Sequence, residues 1–265
     1  MSQKNLGLCF NYGRGVEQDH SKALEWYKKS AEKGFRAAIF NVGISYFYGK
    51  GVDKNLNEAL KWFQKASEKG HVVSQFYIAK CYEQLFYPEY EIFSAYKKAA
   101  EMGDTNAQIE MGEMYQEGTN KYVTKNEQEG FVWYKKAAEQ WHPLAEYLLG
   151  YCYDFGIGVH RSSKEAMKWY KRSASFECTD AQVQIGLCYL CGHMVRRNEH
   201  KAVHWFLKAA KRNHPRALYY LGECYEDGIG VEKNHEIAIE CYTKAAMQGH
   251  ERAKAKIKTE EECPF

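Results

Sequence analysis

The chain has 265 residues, 45% apolar and 27% charged, which excludes a disordered or collagen-like chain and leaves a soluble protein of one or two domains. Lysine and arginine outnumber aspartate and glutamate only by 37 to 34, with no long run of one sign, so the electrostatic footprint of a DNA- or RNA-binding protein is missing. No apolar stretch approaches the roughly 20 residues that span a bilayer, and Met1 to Phe10 lacks the apolar core of a signal peptide. The expectation is a cytoplasmic chain without direct membrane insertion, most of its nine cysteines, odd in number and widely spread, being reduced thiols.

Taken from the N-terminus, a small residue recurs at Gly7, Gly43, Ala79, Gly112, Gly150, Gly186 and Gly222, at spacings of 36, 36, 33, 38, 36 and 36. Three residues beyond each anchor sits an aromatic: Phe10, Tyr46, Tyr82, Tyr115, Tyr153, Tyr189 and Tyr225. One residue before it sits an aliphatic or methionine, from Leu6 to Leu221. These two positions are i and i+4 on a helix, so they share a face with the small anchor between them, where a second helix can approach closely. This is helix A of each repeat.

Glycines at Gly13, Gly49, Gly118, Gly156, Gly192 and Gly228 mark the turn after helix A. Asp19, Asn55, Asn126, Ser162, Asn198 and Asn234 then offer N-caps, and Glu58, Glu129 and Glu165 lie where a capping box places its acid. Helix B follows, carrying Trp26, Trp62, Trp133, Trp169 or Trp205 at one repeat position, with a second aromatic next to it. Five of the six tryptophans therefore read as packing devices. Copies end at Gly34, Gly70, Gly103 and Gly249.

A lone helix pair cannot bury such a face, so neighbouring pairs must stack. The expected fold is all-α, a right-handed α-α superhelical solenoid of about seven helix-turn-helix repeats forming a single domain over 1–265. The repeats fall at 1–37, 38–73, 74–106, 107–144, 145–180, 181–216 and 217–252, with a C-terminal capping helix at 253–265. The third copy is irregular: Ala79 replaces the anchor glycine, the turn glycines are missing, Pro88 stands near the helix B start and Ala95 replaces tryptophan, which implies a change of curvature. The fourth has a longer loop, Thr119 to Lys125. The chain opens inside a helix A, which reads as a fragment or as an edge that a partner covers.

The pattern A-x-x-x-x-G-x-x-Y-x-x-G-x-G-V, a cap, then A-x-x-W-Y-x-K-A-A-x-x-G, best kept in Ala38 to Gly70 and Ala217 to Gly249, resembles the Sel-1-like repeat, a relative of the tetratricopeptide repeat. The resemblance implies a non-enzymatic adaptor for a protein or peptide partner, with no cofactor and no shared catalytic residue. By likeness to tetratricopeptide stacks, the concave wall is built from helix A positions three before, one after and four after the anchor. The binding residues expected there are Phe40, Ile44, Phe47; Lys80 and Glu83, beside Phe76; Tyr147, Tyr151, Asp154; Leu187 and Leu190, beside Val183; and Tyr219, Glu223, Glu226. Ile109, Glu113 and Gln116 complete the stripe in the fourth copy. Aromatic anchors beside carboxylates suit a peptide with apolar and basic side chains. The first member of each triplet, apolar in every copy from the second on, reads more readily as core between repeats than as groove.

The one arrangement resembling a ligand set is Cys188-x-x-Cys191 with His193, His200 and His204, the basis of an alternative reading as a metal-dependent or redox-active regulator or enzyme. Cysteine recurs at the Cys188 position in Cys9, Cys81, Cys152 and Cys224, as a core position would. Gly13-Arg14-Gly15 has no preceding strand and no G-K-[ST], and Glu260 and Glu261 lie on a charged tail. No catalytic site emerges.

Overall fold

The structure, a computed structural model, describes residues 3–118 and 122–262. The opening at Met1, the start of the Thr119 to Lys125 loop and the side chains of Glu260 and Glu261 lie outside the described residues. Two compact units meet at Ala137 and Ala138. The first contains α1 (Gln3–Tyr12), α2 (His20–Glu32), α3 (Arg36–Tyr48), α4 (Leu56–Glu68), α5 (Val72–Gln84), α6 (Glu89–Glu101), α7 (Thr105–Glu117) and most of α8 (Glu127–Glu139). The second contains α9 (Pro143–Phe155), α10 (Ser163–Ser175), α11 (Thr179–Cys191), α12 (Glu199–Ala210), α13 (Pro215–Asp227), α14 (His235–Met247) and α15 (Glu251–Glu262). Odd-numbered helices are the A helices. Within the units α1, α3, α5, α9, α11 and α13 pack on their own B helices, and α2, α4, α6, α10, α12 and α14 on the next A helix.

The anchor glycines are where each pair meets. A Cβ built on Gly43, Gly150, Gly186 or Gly222 would stand within 2.7 Å of the Phe63, Tyr170, Phe206 or Tyr242 ring. Those rings belong to the aromatic after the tryptophan position, and they are almost wholly buried. The tryptophans are covered differently: Trp26, Trp62, Trp169 and Trp205 stay half-buried. A lysine one turn on lies over the ring, Lys29 at 4.6 Å from Trp26, Lys65 at 5.3 Å from Trp62 and Lys208 at 4.5 Å from Trp205.

The turns are fixed as the sequence predicts. Asp19, Asn55, Asn126, Ser162, Asn198 and Asn234 each accept a bond from the backbone N–H three residues on. The capping boxes do not close, because the cap's own N–H is already used: Asn55 N donates to the Tyr46 carbonyl and Ser162 N to that of Tyr153, both at 2.9 Å. Glu58 and Glu165 turn outward to Lys61 and Lys168. The irregular third copy still forms a complete hairpin. Leu85 stands at the turn-glycine position with φ −93°, the left-handed residue is Phe86 one place later at φ 56°, and Pro88 serves as the N-cap of α6 without a side-chain cap bond.

Candidate partner-binding surface

The helix A triplets divide into covered and open positions. In the first unit, Phe40 is half-buried, its ring 4.4 Å from His71 and 5.4 Å from Tyr77. Ile44 is half-buried in the same cluster. Phe47 is only 6% exposed, under Tyr48 and Tyr77. Lys80 bridges Glu110 at 2.8 Å and Glu83 at 3.2 Å. In the second unit, Tyr147 is half-buried, while Tyr151 is open with its ring 4.4 Å from exposed Phe155. Asp154 is buried, Leu187 and Leu190 pack half-buried on the core, and Tyr219 is buried with its hydroxyl donating to Glu223 at 2.6 Å.

The position four after the anchor is occupied from inside. Glu83 accepts a hydrogen bond from the Tyr96 hydroxyl at 3.1 Å, Asp154 from Tyr170 at 3.3 Å and Glu226 from Tyr242 at 2.5 Å. Asp154 also takes the His193 Nε2 at 2.6 Å, and Glu226 takes Lys256 Nζ at 2.7 Å. These carboxylates satisfy buried helix B hydroxyls, which would otherwise be costly to desolvate. The open position is instead the fifth after the anchor, occupied by Tyr12, Tyr48, Gln84, Glu117, Phe155, Cys191 and Asp227, all exposed. Sequence reasoning missed that position, although the signal was present: wherever helix B carries tyrosine, the fourth position is Asn11, Glu83, Gln116, Asp154 or Glu226, and where it carries Phe63 or Phe206 the position is Phe47 or Leu190.

A second buried acid lies at a different level of α9. Glu146 is fully covered, with Arg172 Nε at 2.7 Å in a charge contact that lacks hydrogen-bond alignment. Arg172 lies over Trp141 at 3.8 Å and Trp169 at 5.0 Å and donates to the Ala138 carbonyl. Burial raises the Glu146 carboxyl, and the Arg172 charge opposes that rise.

The cysteine and histidine set does not converge. Cys188 is buried and Cys191 exposed, His200 Nδ1 is 2.8 Å from the Gly230 carbonyl, and His204 stands edge-on to Trp205. Among the described residues no three His, Cys, Asp or Glu side chains could hold a metal ion. The alternative built on Cys188, Cys191, His200 and His204 is corrected accordingly: helix geometry directs one thiol into the core and the histidines outward. Burial pushes the thiols of Cys81, Cys188 and Cys224 up to about 12, which makes them poor nucleophiles. Iodoacetamide at about pH 8 is expected to label Cys191 in the native protein and to spare Cys188 until denaturant is added. Equal rates at the two sites, followed by peptide mapping, would contradict that.

Repeated helix pairs locked by a glycine–aromatic contact, with their variable side chains on one helix face, define a helical-repeat scaffold. The Sel1 repeat pattern matches residues 1–35, 36–71, 96–104, 105–140, 143–175, 179–214 and 215–250, and the chain belongs to the Sel1 repeat family. Its match in the third copy is confined to 96–104, where the anchor and turn glycines are absent. The chain is similar to a Sel1 repeat protein from Oxalobacter formigenes, at 32% identity and TM-score 0.75, covering 97% of this chain and 75% of that one. It is also similar to a protective antigen of uropathogenic Escherichia coli with the same repeat fold, at 34% identity and TM-score 0.74 over 96% of this chain. The chain spans 55% of that antigen's length. An immunity protein from Pseudomonas aeruginosa shares the fold alone, at 19% identity and TM-score 0.54, over 79% of this chain and 80% of that one. No curated protein matches the chain. Sel1 repeats generally mediate protein–protein interactions. No helix among the described residues is long and apolar enough to cross a membrane.

Proposed function

We propose that this chain is a non-enzymatic protein-interaction scaffold whose A-helix face receives a segment of a partner protein, the face being the concave one expected for stacked repeats. The observation that supports this most directly is the exposed Tyr151–Phe155 pair: two large rings in contact, 37% and 57% exposed, flanked by half-buried Tyr147 on one face of α9. Aromatic side chains held by neighbours lose little freedom on binding and are common anchors at interfaces. In the first unit Tyr48, 54% exposed, takes the position that Phe155 takes in the second. The covered Phe47, Asp154 and Tyr219 support the surface from beneath, and the direct contacts fall to the first and fifth positions after the anchor. A cytoplasmic location belongs to the same proposal, supported by the buried free thiols Cys81, Cys152, Cys188, Cys224 and Cys241.

The test is affinity capture from the native cell with the wild type, a Tyr151→Ala/Phe155→Ala variant and a Trp26→Ala/Trp62→Ala control on the B helices. Loss of captured proteins in the first variant by about tenfold or more, with unchanged helicity and melting, is the expected result. Retention of the same proteins by that variant would remove the A-helix face as the docking surface.

A further inference from the structure

The neighbourhood of Tyr219 in the second unit does not look like a site for a basic partner. A recess of about 440 Å³ is lined by Arg216, Tyr219, Tyr220, His250, Glu251 and Arg252. Arg216 and Arg252 hold equivalent positions one repeat apart, in the first turns of α13 and α15. Both charges reach the same imidazole: burial first, and then Arg216 and Arg252, hold His250 below its ordinary value. The His250 ring is stacked on Tyr219 at 4.7 Å, so the two guanidiniums stand around one aromatic floor.

The acids nearby are engaged elsewhere. Glu251 is 2.8 Å from Lys254, Glu223 accepts the Tyr219 hydroxyl at 2.6 Å, and Asp180 Oδ1 is 3.2 Å from His214 Nε2. Among the described residues neither Arg216 nor Arg252 forms an ion pair with a carboxylate, although Arg216 acts on the Tyr147 hydroxyl through its charge and a side-chain hydrogen bond, and Asp180 feels its charge. Two like charges line one concave, partly apolar space, and the carboxylates beside them, Glu251 and Glu223, are turned to Lys254 and Tyr219. Guanidinium forks match carboxylates in bidentate geometry, and half-buried Tyr220 and His250, the latter stacked on covered Tyr219, offer ring surface to a neighbouring side chain.

We infer that this recess binds a carboxylate-bearing segment of a partner protein, with one acidic side chain at each arginine and an apolar residue against Tyr220 and the His250 ring. The inference rests on the reading of the A-helix face as the docking surface, since Arg216, Tyr219 and Glu223 lie along one side of α13. It reverses the charge expected from the sequence. The carboxylates that suggested a basic partner are held by tyrosine hydroxyls and lysines of the fold, while among the described residues neither arginine is held in an ion pair by a carboxylate.

The experiment measures fluorescence anisotropy of a labelled decapeptide of alternating glutamate and leucine, with a glutamine–leucine decapeptide as its neutral counterpart. Wild-type protein is expected to bind the acidic probe, to bind the neutral one about tenfold or more weakly, and to lose affinity as salt rises. Arg216→Ala and Arg252→Ala should each weaken the acidic probe about tenfold, with circular dichroism melts showing that the repeats stay folded. Equal binding of both probes, no binding of the acidic probe, or insensitivity to both arginine substitutions overturns the inference. Full displacement of the probe by inorganic phosphate at the probe's own concentration also overturns it, by making the recess a phosphate site. Tyr151→Ala/Phe155→Ala separates the two readings: loss of the partner in that variant with arginine-insensitive binding keeps the A-helix face and sinks the acidic ligand. The reverse pattern keeps the recess and removes the rest of the face.

Discussion

Replacing Gly186 by valine is expected to destabilise the α11–α12 pair by about 3 kcal/mol, read as a drop in melting temperature of roughly 6 to 12 °C. The reason is steric. A Cβ at Gly186 would lie 2.5 Å from Cε1 and 2.7 Å from Cδ1 of Phe206, and that ring is fully buried with no room to retreat. Valine adds two further methyl groups to that overlap. Gly103→Ala is the control: its backbone is at φ 91°, but nothing lies within 4 Å of the added carbon. That substitution should cost only about 1 kcal/mol, the strain of a left-handed alanine. The fold already contains this comparison, because Trp141, Glu177 and Asn213 take the same cap position at φ 63°, 63° and 56°. Caps tolerate a side chain; the glycine anchors leave no room for one. The third copy accommodates Ala79, packing it against Tyr96 in a hairpin whose A–B turn is short. If Gly186→Val melts within a degree of wild type while Gly103→Ala does not, steric exclusion at the anchor is the wrong account.

The contrast explains what was legible in the sequence. Anchor, cap and turn are local requirements that recur once per repeat, so a comparison of copies exposes them without a structure, and the caps at Asp19, Asn55, Ser162, Asn198 and Asn234 all form. The orientation of helix A was less legible. Adjacent residues are about 100° apart around a helix, so the fourth and fifth positions after the anchor face different neighbours, and a family-level expectation fixes the stripe no better than that. Phe47 and Asp154 were expected at the surface and are 6% and 1% exposed, whereas Tyr48 and Phe155, one residue later, are open. Burial could still have been inferred at Asp154, because its polarity follows that of the helix B aromatic in every copy. The arginine recess was illegible for another reason: Arg216 and Arg252 are ordinary first-turn residues in sequence, and only the packing of α13 with its neighbours shows their carboxylate competitors occupied.

The pairing of Asp154 with Tyr170 gives the second large effect, and it separates a binding role from an internal one. Asp154→Leu should cost about 2 to 3 kcal/mol, because the Tyr170 hydroxyl loses its acceptor in a place that water does not reach; Tyr170 is fully buried. Burial first, and the Asp154 charge next, raise the Tyr170 hydroxyl above its ordinary value, so it remains a protonated donor throughout the neutral range. Tyr170→Phe alone should cost about 1 to 2 kcal/mol, since Asp154 then keeps only His193, 2.6 Å away. The double variant removes both halves of the bond and recreates the pairing that the fold uses between Phe206 and Leu190, so it should return to within about 1 kcal/mol of wild type. The coupling between the two substitutions is therefore at least about 2 kcal/mol. Urea titration of the four proteins measures it. Simple addition of the two single effects would mean that the carboxylate does not serve the tyrosine, and would leave His193 as the partner that accounts for buried Asp154.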